Sequence, residues 1–435
     1  VIGYSCTIPV KYDVDVFVAG GGPAGVAAAV AAARNGCSVY LAEGQGCLGG
    51  MGTAAMVPVF MQFSDGINMV AAGIGEEILT RLRAAGGTGY DNPYSIKLEV
   101  LKRVYDELLV DADVAFTFQT HLIAVIQEEG EVTEAVLYAK SGLFAVKAKM
   151  FIDCTGDGDL AAWAGAPYEK GDQDGNLMPG TLCSLWAGVN WDEAERDPTH
   201  KRMLEQAFRD KVFTVEDPSL PGMWRIGRTT GGGNIGHAFG VDGTDEVSLT
   251  QAFIEQRKRL VEYEHYYKKY LNGFADMELA ATGSMMGIRE TRRILGDYVL
   301  NLRDFESRAV FPDEIGRYCY PVDIHAYRPD KELHQKMKES FETRLRYKQG
   351  ESYGIPYRTL TPQGLKNVLV AGRCISTDKY IQGSVRVMPG CFITGQAAGA
   401  AASIAIGEGT DIRGFDIGKL QGLLRKMGAY LPEGI

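Results

Sequence analysis

A glycine turn set between an apolar strand and an alanine-rich helix constrains this chain more than any other feature. The run Val14-Asp15-Val16-Phe17-Val18-Ala19-Gly20-Gly21-Gly22-Pro23-Ala24-Gly25 spaces Gly20, Gly22 and Gly25 as G-x-G-x-x-G near the N-terminus. Such a turn brings backbone N–H groups against a pyrophosphate. Gly20 allows the tight turn, Gly22 lets the backbone approach the phosphates, and Gly25 lets the helix pack closely on the sheet. The sequence predicts that helix over 23–35, almost all Ala and Val, with its positive end aimed at the ligand's charge. Pro23 suits the first turn because its missing N–H is no loss there, and Ala24 stands beside it.

A second apolar strand, 38–42, ends in Glu43-Gly44, with Glu43 placed 23 positions after Gly20. A carboxylate at that tip can accept hydrogen bonds from a ribose diol and disfavours a 2′-phosphate. FAD and NAD share this first unit, so other segments must separate them. One is Phe151-Ile152-Asp153-Cys154-Thr155-Gly156-Asp157-Gly158-Asp159, a strand running into a second small-residue turn. Another is Asn367-Val368-Leu369-Val370-Ala371-Gly372-Arg373, very late in the chain, followed by a helical run over 389–406.

With Leu48-Gly49-Gly50, Gly287-Ile288-Arg289-Glu290-Thr291-Arg292-Arg293, Tyr320-Pro321-Val322-Asp323-Ile324-His325, Ile355-Pro356-Tyr357-Arg358 and Gly383-Ser384-Val385-Arg386-Val387-Met388, the chain resembles the FAD-dependent oxidoreductase family with the glutathione-reductase-type FAD domain. The resemblance spans most of the chain. It implies an α/β fold: a Rossmann-like FAD-binding domain with a central parallel sheet plus a β-meander, and an inserted α+β substrate or cap domain. It implies FAD and redox chemistry with no named substrate; non-covalent binding is assumed, and covalent attachment stays open. In such a fold Gly20, Gly22, Pro23, Ala24, Gly25, Glu43 and Gly44 would hold the adenosine and pyrophosphate. The backbone near His121-Leu122 would meet adenine, while Thr155, Gly156, Gly372 and Arg373 would close the site. Gly49, Gly50 and Met51 would pass beside the flavin ring. Met388 would stand at the mouth of a late helix whose N-terminus favours negative charge on the reduced ring.

Composition sets limits. A chain of 435 residues, 46% hydrophobic, can bury a large core and divide into about two domains. We expect residues 1–166 to begin the FAD domain, 167–360 to form the cap, and 361–435 to complete the FAD domain. Within the first, helices are expected near 75–85 and 94–110, then a meander over 114–127, 132–139 and 143–151. In the cap, helices are expected near 199–211 and 248–271, the second carrying an aromatic stripe that reads as core. A net charge of −10 argues against nucleic acid or an anionic membrane as partner. No apolar run is expected to span a bilayer, and no segment reads as a signal peptide. The eight cysteines show neither C-x-x-C nor a metal or cluster spacing, so no metal is expected and a thiol–disulfide mechanism is disfavoured. A reduced, cytoplasmic chain is the natural reading; homo-oligomerisation stays open.

The substrate side is less determined. A strand over 287–295 would put Arg289, Thr291 and Arg293 on one face. Buried arginine needs a carboxylate, a phosphate or an anionic substrate, so the two arginines either clamp substrate or brace the cap through an Arg–Glu network. His325 is the best candidate for a general base, against the alternative of a structural histidine. Tyr380 would border the substrate space, and His237 with Gly231-Gly232-Gly233 would shape a lid. The expected reaction is hydride transfer between a small polar molecule and flavin N5, with NAD(P) as a co-substrate left open. The alternatives are a flavoprotein subunit of a larger redox complex and an NAD-using enzyme on the same fold.

Overall fold

The computed structural model describes residues 2–3, 5–194, 200–219 and 222–432. Its first strand β1 (Val10–Ala19) runs into the glycine turn and out into helix α1 (Pro23–Arg34). Strands β2 (Val39–Ala42), β3 (Ala115–Thr117), β4 (His121–Glu128), β5 (Glu131–Ala139), β6 (Gly142–Asp153) and β7 (Val368–Val370) join β1 in one seven-stranded sheet. Its order is β3-β2-β1-β6-β5-β4, with β7 also paired to β6.

Strand β6 explains how one sheet can be both parallel and antiparallel. Along one edge it runs parallel to β1. Along the other, residues 142–147 pair antiparallel with β5, and residues 151–153 pair parallel with β7. Asn367 marks the change of partner: its side chain accepts from Val132 N–H at 2.8 Å and donates to Val132 C=O at 2.8 Å. The expected first meander strand is two strands. Gln119, at φ +51°, breaks the run, so β3 joins the parallel sheet beside β2 and β4 alone pairs with β5.

The late helix α3 (Met388–Glu408) crosses α1 beneath the sheet. A Cβ on Gly395 would lie 2.2 Å from Ala24 O, and one on Gly399 2.2 Å from Ala28 O, so only glycine permits this approach. Here the sequence reading needs correction. At 21 residues, α3 is long and apolar enough to cross a membrane by length and composition. Its apolar surface is spent in the protein core, where α1 and the sheet cover it.

A second hydrophobic core lies between Leu182 and Ile288. It is built on a four-stranded sheet ordered Glu278–Thr282, Ser184–Ala187, Gly231–Gly233, Met223–Arg225, with helices His200–Arg209 and α2 (Glu246–Tyr270). Tyr263 and Tyr267 of α2 sit in that core. The Gly231-Gly232-Gly233 run is a buried strand rather than a lid, since a Cβ on Gly232 would come 2.3 Å from the Pro58 Cβ. From Ile294 onward the chain packs again in the first core, through Leu300, Phe305, Ile315 and Tyr318. The strand expected over 287–295 is short. Arg292–Ile294 pairs with Tyr168–Lys170, Gly287 makes a lone antiparallel bridge to Thr181, and the residues between run irregularly along the join between the two cores.

Candidate active site

Three βα junctions open into one cleft of about 370 Å³. The first is the opening turn. Gly20 takes φ +92°, and a Cβ there would lie 2.6 Å from Cys154 O. A Cβ on Gly25 would lie 1.9 Å from Gly20 O, which is the close helix–strand packing its position predicts. Gly22 differs. Its φ is −67°, and a Cβ there would meet nothing within 4 Å. No protein atom demands a glycine at 22, but the residue lines the cleft, where a ligand backbone could approach. Glu43 is buried and accepts from Gly21 N–H and Gln45 N–H, each at 2.7 Å. Burial raises its pKa, against the pull of these N–H groups.

The second junction is braced by Asp153, whose fully buried carboxylate accepts from Thr155 N–H at 3.0 Å, Thr155 Oγ1 at 2.7 Å and Ala161 N–H at 2.8 Å. Burial pushes its pKa up to about 6. At the third junction Gly372 turns at φ +91°, and Arg373 clasps the pieces together. Arg373 donates to Ile288 O at 2.7 Å and to Asp157 Oδ1 at 2.7 Å. Helix α3 then begins at the cleft with no side-chain cap, leaving its first N–H groups and its positive end available to an anion. Glycine-lined turns, a bare helix N-terminus and apolar walls of Val57, Val59 and Met61 are a donor set that fits a dinucleotide carrying a large aromatic ring.

Gly20, Gly22, Pro23, Ala24, Glu43, Gly44, Gly50, Met51, Leu122, Thr155, Gly156, Gly372, Arg373 and Met388 all line this cleft. Gly25 and Gly49 sit behind it. Gly49, at φ +101°, donates its N–H to Gly21 O at 2.8 Å and so ties the flanking loop to the first turn.

Of the candidate catalytic residues, His325 and Arg289 reach the cleft. Arg289 is buried and donates to Pro179 O at 2.7 Å, Thr181 Oγ1 at 2.9 Å and Asn234 Oδ1 at 3.4 Å. These partners are uncharged. Burial, and then the nearby Arg386 charge, push the Arg289 pKa down to about 10. His325 keeps 15% of its side-chain surface exposed. Its Nδ1 lies 2.9 Å from His237 Nε2, and its Nε2 lies 3.3 Å from Asp323 Oδ1. Burial, followed by the Arg289 charge, pushes the His325 pKa down to about 3. Burial opposes ionisation of Asp323, yet His325, Arg386 and Arg289 together hold its pKa well below the usual carboxylate range.

The structure does not bring Arg293 or Tyr380 to the cleft. Arg293 is buried among Glu290, Glu169 at 3.3 Å and Gly171 O at 3.0 Å, an internal network between the arginine segment and the loop that faces it. Tyr380 is exposed in the short helix Lys379–Val385. Asn234, Arg386 and Asp217 were missed by sequence reasoning. Arg386 stood within a recognised motif, but nothing around Asn234 or Asp217 distinguishes them in sequence.

The family model described as FAD dependent oxidoreductase matches residues 15–424. No curated protein matches the chain. Among solved structures, a geranylgeranyl bacteriochlorophyll reductase-like protein from Thermoplasma acidophilum is 14% identical, covering 96% of this chain and 84% of that one at a TM-score of 0.47. The flavin-dependent brominase Bmp2 is 11% identical over 95% of this chain and 83% of its own, at 0.49. The p-nitrophenol 4-monooxygenase PnpA from Pseudomonas putida DLL-E4 is 12% identical over 95% and 84%, at 0.42. Likeness of this degree carries nothing about substrate or mechanism.

Proposed function

Because the chain belongs to the FAD-dependent oxidoreductase family, we propose that it transfers a hydride between a small polar organic substrate and N5 of non-covalently held FAD, with His325 handling the accompanying proton. Bound FAD would supply the two-electron chemistry. The chain's own residues bind, orient and move a proton. The observation that carries this reading is the presence of His325 in the same cleft as the bare N-terminus of α3 and the three glycine junctions. A substrate hydroxyl or amine must lose a proton as its C–H bond breaks, and His325, with the Asp323 carboxylate 3.3 Å from its Nε2, forms the titratable pair beside that space. Arg289 supports an anionic substrate group, since its guanidinium is desolvated and its named hydrogen-bond partners carry no charge. Pro179, Thr181 and Asn234 would hold it in place while a carboxylate or phosphate paired with it.

Anaerobic bleaching of the flavin against hydroxy acids, amino compounds, sugar derivatives, NADH and NADPH tests the proposal. With the responding substrate, His325→Ala is expected to slow reduction by about 10²–10⁴-fold while FAD stays bound. An unchanged rate removes His325 from the mechanism.

A further inference from the structure

The substrate end of the cleft holds two guanidiniums and one carboxylate. Arg289, Arg386 and Asp323 all line it beside His325. Arg289 is buried, and its hydrogens are unevenly used. Nη1 gives both of its own, to Pro179 O at 2.7 Å and Thr181 Oγ1 at 2.9 Å. Nη2 keeps one long contact, 3.4 Å to Asn234 Oδ1, and Nε has no acceptor among the described residues. The edge made by Nε and Nη2 is the one that grips a carboxylate with two parallel N–H bonds, and protein leaves it largely unfilled. Arg386 stands two residues before α3, with 11% of its side-chain surface exposed. Its Nη2 lies 3.2 Å from Asp323 O and 3.3 Å from Asp323 Oδ2, and its enclosed Nε meets no acceptor.

The carboxylates of this region are committed elsewhere. Asp323 faces His325 Nε2 with Oδ1, at 3.3 Å, and Arg386 with Oδ2. Glu290, next to Arg289 in sequence, pairs with Arg293 and accepts from Met178 N–H at 3.1 Å. Asp217 lies 3.0 Å from His237 Nδ1, and the His237 ring stands between it and His325. Neither Glu290 nor Asp217 lines the cleft. Burial pushes the pKa of both histidines down, so neither adds a charge at neutral pH. At the cleft surface two positive charges therefore meet one negative, and the positive end of α3 adds to the excess. A ligand that brings one negative charge restores the balance a buried guanidinium needs.

Deepening the hydride-transfer reading, on which it rests for the carbon that reacts, we propose that Arg289 and Arg386 select a 2-hydroxy monocarboxylate, with the carboxylate seated on the Nε–Nη2 edge of Arg289 and its charge shared with Arg386. A phosphate dianion would overfill the site and stand against Asp323. A 2-amino acid would carry an ammonium into surplus positive charge. A hydroxyl brings no charge, and position 2 suits it because Arg289 and the His325–Asp323 pair are near enough to feel one another's charge. In the reaction the C2–H hydrogen leaves with both electrons to FAD, the hydroxyl proton goes to the His325–Asp323 pair, and the C2=O of a 2-oxo acid forms.

Binding is read apart from turnover, by anaerobic calorimetric titration of the oxidised holoenzyme. The probes are pyruvate, 2-oxohexanoate and phenylglyoxylate, which have no C2 hydrogen to lose. Their uncharged amides, the matching 2-amino acids and glycerol 1-phosphate are the comparisons. At least one oxo acid is expected to bind about 10–100-fold more tightly than its amide, its amino acid and the phosphate. Arg289→Lys keeps the charge but loses the paired edge, and it should weaken that acid about tenfold or more, as should Arg386→Gln. FAD content and melting temperature report folding. Asp323→Asn supplies a gain that misfolding cannot mimic: the positive surplus doubles, and glycerol 1-phosphate should bind at least about tenfold better. Equal affinity for acids and amides, no binding by any acid, or an unmoved phosphate affinity in Asp323→Asn overturns this assignment alone. If the acids bind as expected but none of lactate, 2-hydroxyhexanoate and mandelate bleaches the flavin, the hydride reading falls and takes the substrate class with it, and the arginine pair remains a carboxylate site.

Discussion

The two ends of the cleft are made of different material. The dinucleotide end is backbone: Gly20, Gly49, Gly156 and Gly372 all adopt positive φ, and the fixed N–H groups of turns and of α3 face the ligand space. The proton end is side chain. Asp217, His237, Arg289 and the Asp323–His325 pair arrive from four separated stretches and meet only through tertiary packing. A backbone site fixes residue types at consecutive positions, whereas a side-chain site needs only that distant residues converge.

The contrast can be broken at three points. Gly25→Ala should have the largest effect, because the new Cβ would sit 1.9 Å from Gly20 O inside the tightest part of the turn. We expect a loss of about 3 kcal/mol or more, read as a lower urea midpoint or little soluble protein. A variant as stable as wild type would remove the packing role of that glycine. Gly22→Ala should behave oppositely. Its Cβ has room in the protein, so the urea midpoint without cofactor should hold while FAD affinity falls about tenfold, or about 1.4 kcal/mol. Equal FAD binding would show that the open space at Gly22 is not where the ligand lies. The proton end is read through pH instead. His325 titrates near 6.5 in the unfolded chain and at about 3 in the fold, so it is neutral where the unfolded chain is charged. Stability is full above about pH 6.5 and falls on acidification toward pH 3, by up to about 1.4 kcal/mol per pH unit from this group. His325→Gln should flatten the midpoint-versus-pH curve between pH 6.5 and 4, and an unchanged slope would mean the ring is not held neutral.

The same contrast explains what the sequence revealed. The three junctions, Glu43 and the helix mouth at Met388 were readable because glycine, small residues and a terminal carboxylate recur at fixed offsets around a strand and a helix. The long meander strand misled because its hydrophobic pattern is continuous through 114–127; only the backbone at Gln119 records the change of partner. Alternation along 287–295 put Arg289 and Arg293 together, but the segment is irregular, so one reaches the cleft and the other meets Glu290. The glycine triplet looked like part of a lid, although each of its residues is a point where a neighbouring side chain presses on a strand. Asp217 carried no sign at all. Its meaning depends on His237, which in turn depends on His325, 88 positions further along.

The crossing of α1 and α3 has a consequence for biosynthesis. Helix α1 is made well before the glycines at 395 and 399 that receive its Ala24 and Ala28 ridge. Until α3 is made, that alanine surface has no native neighbour from it, and until β7 is made the nucleotide-binding sheet is incomplete. Capture of the cofactor must thus wait until residue 399 has emerged, and nascent chains halted before it are natural clients for chaperones.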